Sequence, residues 1–292
     1  MKRRSVNIIK TELPVKSAFS IETAPEDLKL HQLCILTAKR GGGKSVSVAN
    51  IIKHYKQKGY LDRCWVITPT YHSNKEIWDI ADITEEDIID ISKDAIKTIT
   101  DIVENEREEW DTFLKAKALY SQFQKDKHKD FIPDDRIIEY SNFDFFQTKP
   151  SWKYKNEVPP RLAVIIDDAL NSPVMTAKQG GLINFCLRHR HIGKGLGISV
   201  YMLVQSYLAQ GGVPKCIREN TTSLLIFKTN DEKILLKIYE ELDLEITYEQ
   251  FKDLLAYCHS KDYNYLLIDF SPKEENMKFR SGYNEFILPK VI

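Results

Sequence analysis

Ala38 to Ser45 reads A-K-R-G-G-G-K-S, and residues of these types at this spacing can hold a phosphate. The three glycines Gly41 to Gly43 leave backbone N–H groups able to converge on one point, and a helix starting there adds the positive end of its dipole. In the P-loop pattern G-x-x-x-x-G-K-[ST], the last glycine lets the backbone approach a phosphate closely. The lysine reaches the β- and γ-phosphates, and the hydroxyl ligates Mg²⁺. Those positions are Gly43, Lys44 and Ser45. The candidate nucleotide-binding residues are therefore Ala38, Lys39, Arg40, Gly41, Gly42, Gly43, Lys44, Ser45 and Val46. The pattern departs once, because its first glycine is Ala38. Alanine fits there if φ stays negative. A glycine-rich surface turn that happens to precede Lys-Ser is the competing reading. The flanks favour the P-loop: the apolar run Leu33–Leu36 comes before it and the helix-compatible stretch Ser47–Lys58 follows.

A second chemical element is Arg161-Leu-Ala-Val-Ile-Ile-Asp-Asp. A buried parallel strand presents its C-terminal end to a ligand crevice. Asp167 there could hold a metal, and Asp168 could polarise an attacking water. The alternative is an apolar strand that stops at an Asp-Asp turn. A third apolar run, Val200–Val204, ends at Gln205, whose amide could bond a γ-phosphate or orient water. Between these elements stand Arg188 and Arg190, with Arg218 further on. A planar guanidinium supplied by a neighbouring subunit can stabilise charge on a transferring phosphoryl group, and surface charge or an internal salt bridge is the alternative for each. Cys186, His189 and His191 lack a fourth partner for a zinc site.

The elements that must position these groups follow from periodicity. Strands are expected at Leu33–Thr37, Cys64–Thr68, Leu162–Ile166, Ile198–Val204, Ser223–Phe227 and Tyr265–Phe270. Helices are expected at Ser47–Lys58, closed by Gly59, and at about 231–242 and 248–258. Strands alternating with helices indicate an α/β fold with a mostly parallel sheet. Residues 1–30 read as an N-terminal arm and 31–292 as one P-loop domain. Within it, about 74–160 reads as a charged insertion, helical to 130 and irregular beyond. In the second part Phe143, Phe145, Phe146, Trp152 and Tyr154 interleave with Lys149, Lys153 and Lys155. Such a stretch either stacks bases and holds phosphates or packs as a loop on the domain edge.

The 292 residues carry 42 basic and 42 acidic side chains, so bulk charge announces no nucleic-acid partner. Any such partner would meet a local patch or one repeated around an oligomer. Five cysteines, with no C-x-x-C pair, suit a reducing compartment better than a disulfide framework. The basic Met1–Arg4 start has no apolar stretch after it and is no signal peptide, and no run reaches membrane-spanning length. The base-reading pattern N-K-x-D of a GTPase switch is absent.

The ordered set Asp167-Asp168, Arg188-His189-Arg190, Gly197-Ile198 leading to Gln205, and Ile217-Arg218-Glu219-Asn220 resembles the FtsK–HerA superfamily of DNA-pumping ATPases. Within it, Tyr265–Phe270, Phe279-Arg280 and Tyr283–Phe286 are similar to the poxvirus-type branch, the genome-packaging ATPases of double-stranded DNA viruses and virophages. The resemblance spans about residues 31–290. It implies a RecA-like core with an additional strand between the P-loop and acidic strands. It further implies ATP and Mg²⁺ as cofactors and a homo-oligomeric ring, pentameric or hexameric, around double-stranded DNA. A capsid portal or vertex protein would be the further partner, and the host cytoplasm, a virus factory or the virion the setting. Carried over by position, Lys44 and Ser45 bind triphosphate and metal, and Asp167 holds the metal. Asp168 is the catalytic carboxylate, and Gln205 senses the γ-phosphate. Asp168 stands where many relatives have Glu. Pore-loop candidates are residues 141–155 and the Lys178–Gly181 turn. A cellular-type DNA translocase or helicase shares every one of these residues. A nucleotide-dependent switch is the reading from another class.

Overall fold

In each strand of the central sheet, alternate side chains go to opposite faces, and both faces are covered. Leu33 and Ile35 pack on one side, while Cys34 and Leu36 pack on the other. Five-residue apolar runs with no polar face can be strands only when buried on both sides, as the strands of a mostly parallel sheet are. The computed structural model describes residues 19–169, 172–176, 181–208 and 212–289. Most of the predicted N-terminal arm and nearly all of the Lys178–Gly181 turn therefore lie outside the described residues.

The strands are β1 (Leu33–Thr37), β2 (Arg63–Ile67), β3 (Ile88–Ile89), β4 (Leu162–Asp167), β5 (Ser199–Val204), β6 (Ser223–Phe227), β7 (Tyr265–Asp269), β8 (Phe279–Ser281) and β9 (Glu285–Phe286). They form one sheet in the order β3-β2-β4-β5-β1-β6-β7-β8-β9. Pairings from β3 through β6 are parallel, and those from β6 to β9 are antiparallel. β5 lies between β1 and β4, with Leu36 opposite Leu203 and Asp167 opposite Leu203. This is the additional-strand arrangement of an α/β P-loop NTPase.

The helices are α1 (Lys44–Lys58), α2 (Lys75–Asp79), α3 (Ala95–Asp126), α4 (Asp134–Asn142), α5 (Pro173–Thr176), α6 (Leu182–Arg188), α7 (Ile192–Gly195), α8 (Lys215–Arg218), α9 (Glu232–Leu242) and α10 (Tyr248–Cys258). Val48, Ile52 and Tyr55 fix α1 on the face that also takes Trp78 of α2. The start of α3, with Ile96, Ile99 and Val103, packs on the opposite face beside α6, α9 and α10. Gly59, in the left-handed region at φ +71°, closes α1 as the sequence predicts.

The segment 74–160 differs from expectation in two ways. Its first part is not helical alone: β3 pairs with β2, and the first turns of α3 sit in the main core. The stretch 131–160 is not wholly irregular: α4 begins after Pro133 with Asp134 and Asp135 in its first turn. Both features suit a helix N-terminus. Beyond it, a small aromatic cluster around Phe123, Tyr140 and Phe145 joins α4 to the far end of α3. Residues 19–30 show one isolated bridge, Ile21 to Leu30, and otherwise pack on the rest of the molecule. Asp27 accepts from the Tyr283 hydroxyl at 3.1 Å and lies 2.7 Å from His54 Nε2.

Candidate nucleotide site

Because β1, β4 and β5 are parallel and adjacent, their C-terminal ends open on one edge of the sheet. Open α/β sheets bind ligands at that edge. The loop after β1 starts by extending the ladder: Ala38 N–H donates to Val204 O at 3.1 Å. Ala38 is buried and does not have a positive φ, so alanine meets no backbone penalty there. Gly43 does need to be glycine. Its φ is +94°, it caps α1, and a Cβ there would stand 3.3 Å from Tyr263 Cβ. A Cβ on Gly42 would meet Ala38 Cβ at 2.8 Å. Bare backbone therefore forms the floor of the turn. α1 starts at Lys44, three residues before the predicted Ser47, which puts Lys44 and Ser45 in its first turn. The N–H groups of such a turn have no partner within the helix and are aimed outward.

Lys44 is only 8% exposed. Its ammonium donates to Ala38 O at 2.9 Å. Burial lowers its pKa, while the negative charges of Asp167 and Asp168 oppose that loss. Asp167, the last residue of β4, is buried as well. Burial pushes its carboxyl up to about 6, the neighbouring Asp168 adds to the rise, and Lys44 restrains it. Asp168 follows in the left-handed region, at φ +52°, and is exposed. Gln205, just past β5, donates from Nε2 to Asp168 Oδ1 at 2.9 Å. The tips of two neighbouring strands are thus tied together in front of the P-loop.

These groups line one cleft of about 740 Å³. The cleft fits a nucleotide triphosphate with a hard cation. It offers a glycine floor too close for side chains, a buried ammonium whose hydrogen bonds are to backbone carbonyls, and the oxygens of Ser45 and Asp167. Hydroxyl and carboxylate oxygens are the donors that Mg²⁺ takes. A carboxylate held by an amide can in turn accept a proton from water.

The far wall carries no motif that the sequence reveals. It comes from the stretch after β2, where Thr70, Ser73, Asn74 and Ile77 line the cleft. Asn74 Nδ2 donates to Thr70 Oγ1 at 3.1 Å, and Thr70 N–H donates to Thr68 Oγ1 at 3.2 Å. The available signal was Thr68-Pro-Thr70, a polar run directly after a buried parallel strand. Tyr263 also lines the cleft, and no motif in the sequence marks it.

The arginines are not gathered here. Arg218 is engaged within the subunit, its Nε and Nη2 on the two carboxylate oxygens of Glu241 at 2.6 and 2.9 Å. Arg188 ends α6 and is exposed. Arg190 lines a different cavity with Gln32 and Thr222, which immediately precede β1 and β6. It therefore stands at the N-terminal edge of the sheet, opposite the P-loop. His189 Nδ1 lies 2.6 Å from Cys186 O, and no cluster of three metal-ligating side chains occurs among the described residues. All five cysteines are free, and four are buried. Of the aromatic and lysine-bearing stretch, Phe145 is buried and Phe143, Trp152 and Tyr154 are half-buried, while Phe146, Lys149, Lys153 and Lys155 are exposed. Trp152 lies against Trp110 and Phe113 at 5.0 and 5.2 Å between ring centroids, and Lys153 pairs with Glu106 at 2.8 Å.

An additional-strand sheet, a P-loop and an acidic strand end together define a nucleotide-hydrolysing P-loop enzyme. The chain belongs to the AAA domain family, which matches residues 22–174. No curated protein matches it in sequence. Among solved structures, it is similar to the conjugation coupling protein TcpA of pCW3 in its monomer form with ATPγS. The TM-score is 0.43 at 14% identity, over 84% of this chain and 59% of that one. It is also similar to the genome packaging NTPase B204 of Sulfolobus turreted icosahedral virus 2 with ATPγS, with TM-score 0.40 and 12% identity over 85% and 95% of the two chains. A third is EccC of Thermomonospora curvata with a signal sequence peptide, TM-score 0.39 and 12% identity over 82% and 35%. The chain thus spans less than two thirds of the coupling protein. Among the described residues, no helix is long and apolar enough to cross a membrane.

Proposed function

We propose that this chain is a Mg²⁺-dependent ATPase whose turnover moves double-stranded DNA, as a ring that packages a viral genome through a capsid portal or vertex. The observation that carries the ATPase reading is the Gln205–Asp168 hydrogen bond at 2.9 Å, in the cleft that also holds Lys44 and Asp167. The roles follow from the chemistry of each group. Backbone N–H groups of the Arg40–Val46 turn hold the triphosphate, while the Ala38 N–H stays in the ladder with Val204 O, and the Lys44 charge neutralises its terminal phosphates. Ser45 and Asp167 are the metal-holding oxygens, and the metal supplies Lewis-acid polarisation of the phosphoryl group. Asp168 orients the attacking water and accepts its proton. Gln205 fixes the rotamer of Asp168, so loss of that bond disorders the base.

DNA and the ring rest on the sequence resemblance. A formal net charge of zero fits a motor that grips few phosphates and releases them each cycle, because every neutralised phosphate steepens the salt-linked affinity. Arg188 and Arg190 are the candidates for acting on a neighbour's phosphates. The test is ATP hydrolysis with and without duplex DNA, with particle mass from light scattering in the same buffer. DNA-stimulated turnover in a ring-sized species is the expected result. A monomer whose slow turnover ignores DNA overturns the motor reading and favours a nucleotide switch.

A further inference from the structure

Tyr263 is a bulky aromatic that the fold leaves on the rim of the cleft. It is 72% exposed, and its backbone sits in the left-handed region at φ +58°. That conformation is unfavourable for a large aromatic side chain. Sheet topology explains how it arrives there. β6 runs parallel to β1 and ends at Phe227, and β7 returns antiparallel with Tyr265 opposite Phe227. The residues entering β7 therefore stand on the same edge as the P-loop, and the Tyr263 side chain reaches within 3.3 Å of where a Cβ on Gly43 would be.

The side on which it stands matters. β4 and β5, which carry Asp167, Asp168 and Gln205, flank β1 on one side, while β6 and β7 flank it on the other. A triphosphate whose terminal group faces the carboxylates must direct its opposite end across the P-loop toward β6 and β7. There it meets Tyr263 and Val46, an apolar residue 41% exposed on the first turn of α1.

We infer that the Tyr263 ring stacks on the nucleobase of the bound nucleotide and anchors its nucleoside end. This rests on the nucleotide reading of the same cleft. A stacking platform uses the π-face that every base offers and does not read base edges. ATP and GTP are therefore expected to bind comparably.

The test is calorimetric titration of the full chain, with Mg²⁺ present, using ATP, GTP and inorganic tripolyphosphate. Tyr263→Ala is expected to weaken ATP and GTP about tenfold, within the range of base–aromatic stacking, while barely changing tripolyphosphate. Tyr263→Trp is expected to keep the affinity, with its indole fluorescence quenched on ATP addition. Unaltered melting of both variants, expected for so exposed a side chain, verifies folding. Equal weakening of ATP and tripolyphosphate, or no weakening of ATP, overturns the stacking. The Lys44→Ala chain separates the two levels. If Lys44→Ala loses all three ligands while Tyr263→Ala keeps ATP, only the stacking falls. If the wild-type chain binds none of the three, the nucleotide reading falls with it.

Discussion

Replacing Asp167 by Asn should stabilise the ligand-free protein above neutrality while removing metal-dependent binding. Asp167 is buried at the end of β4, and its carboxyl is displaced from 3.8 to about 6. A raised acid means that the folded state holds its proton longer than the unfolded chain does. Ionisation then costs stability: the penalty is absent below the unfolded value, grows between about 4 and 6, and is constant above. At about 1.4 kcal/mol per pH unit of displacement, the full penalty is about 3 kcal/mol at pH 8 and about 1 kcal/mol at pH 4.5. Asn has the same shape and carries no charge, so it removes that penalty. For a chain of this length the gain is worth about 5 °C in Tm at pH 8.

The assay is thermal unfolding of wild type and Asp167→Asn at pH 8 and pH 4.5, without nucleotide, followed by ATP titration with and without Mg²⁺. The stabilisation should shrink by about two thirds at the lower pH. The variant should also lose the Mg²⁺-dependent part of ATP affinity. A variant less stable than wild type at pH 8, or equally stabilised at both pH values, would refute the argument. It would mean that the Asp167 carboxylate is satisfied by the fold rather than held for a ligand.

Lys44→Ala should abolish tight triphosphate binding, read by calorimetry, because it removes the buried ammonium facing both carboxylates. Asp168→Asn should bind ATP normally yet turn it over at least about a hundredfold more slowly, the ordinary scale of general-base loss; wild-type turnover would overturn the assignment. Arg218→Ala should cost about 2 kcal/mol in urea unfolding, since it leaves the Glu241 carboxylate unpaired, and Glu241→Ala added to it should cost little more.

The P-loop could be read from sequence because its chemistry is local: Gly43, Lys44 and Ser45 are consecutive, and the turn needs no distant partner. Asp167, Asp168 and Gln205 could be read almost as well, since each ends or follows an apolar run and parallel strands must end at one edge. What the sequence hid was set by pairing across long separations. Tyr263 enters the cleft only because β7 turns antiparallel to β6, and nothing near Tyr263 announces that reversal. The partner that occupies Arg218 lies 23 residues away, on α9. β3 is two residues long, Ile88–Ile89, too short for any periodicity to register. α4 did carry a local signal, Pro133-Asp-Asp, which the aromatic density after it obscured.

Arg190 poses a question that geometry narrows to one experiment. Its position at the N-terminal ends of β1 and β6 puts the depth of the sheet between its guanidinium and its own P-loop. It cannot serve the phosphates of its own subunit, so any catalytic part must be played across a heterologous contact, in which one subunit's edge meets another's cleft. Mixing two inactive variants tests this directly. Arg190→Ala subunits keep a complete cleft and lack only the donor, whereas Lys44→Ala subunits lack the cleft and keep the donor. In randomly mixed assemblies with independent sites, about a quarter should join a good cleft to a good donor, restoring about a quarter of wild-type turnover. Absence of any recovery, in mixtures shown to exchange subunits, would remove Arg190 from the phosphate chemistry. The arginine supplied by a neighbour would then have to be sought in Arg188 or elsewhere.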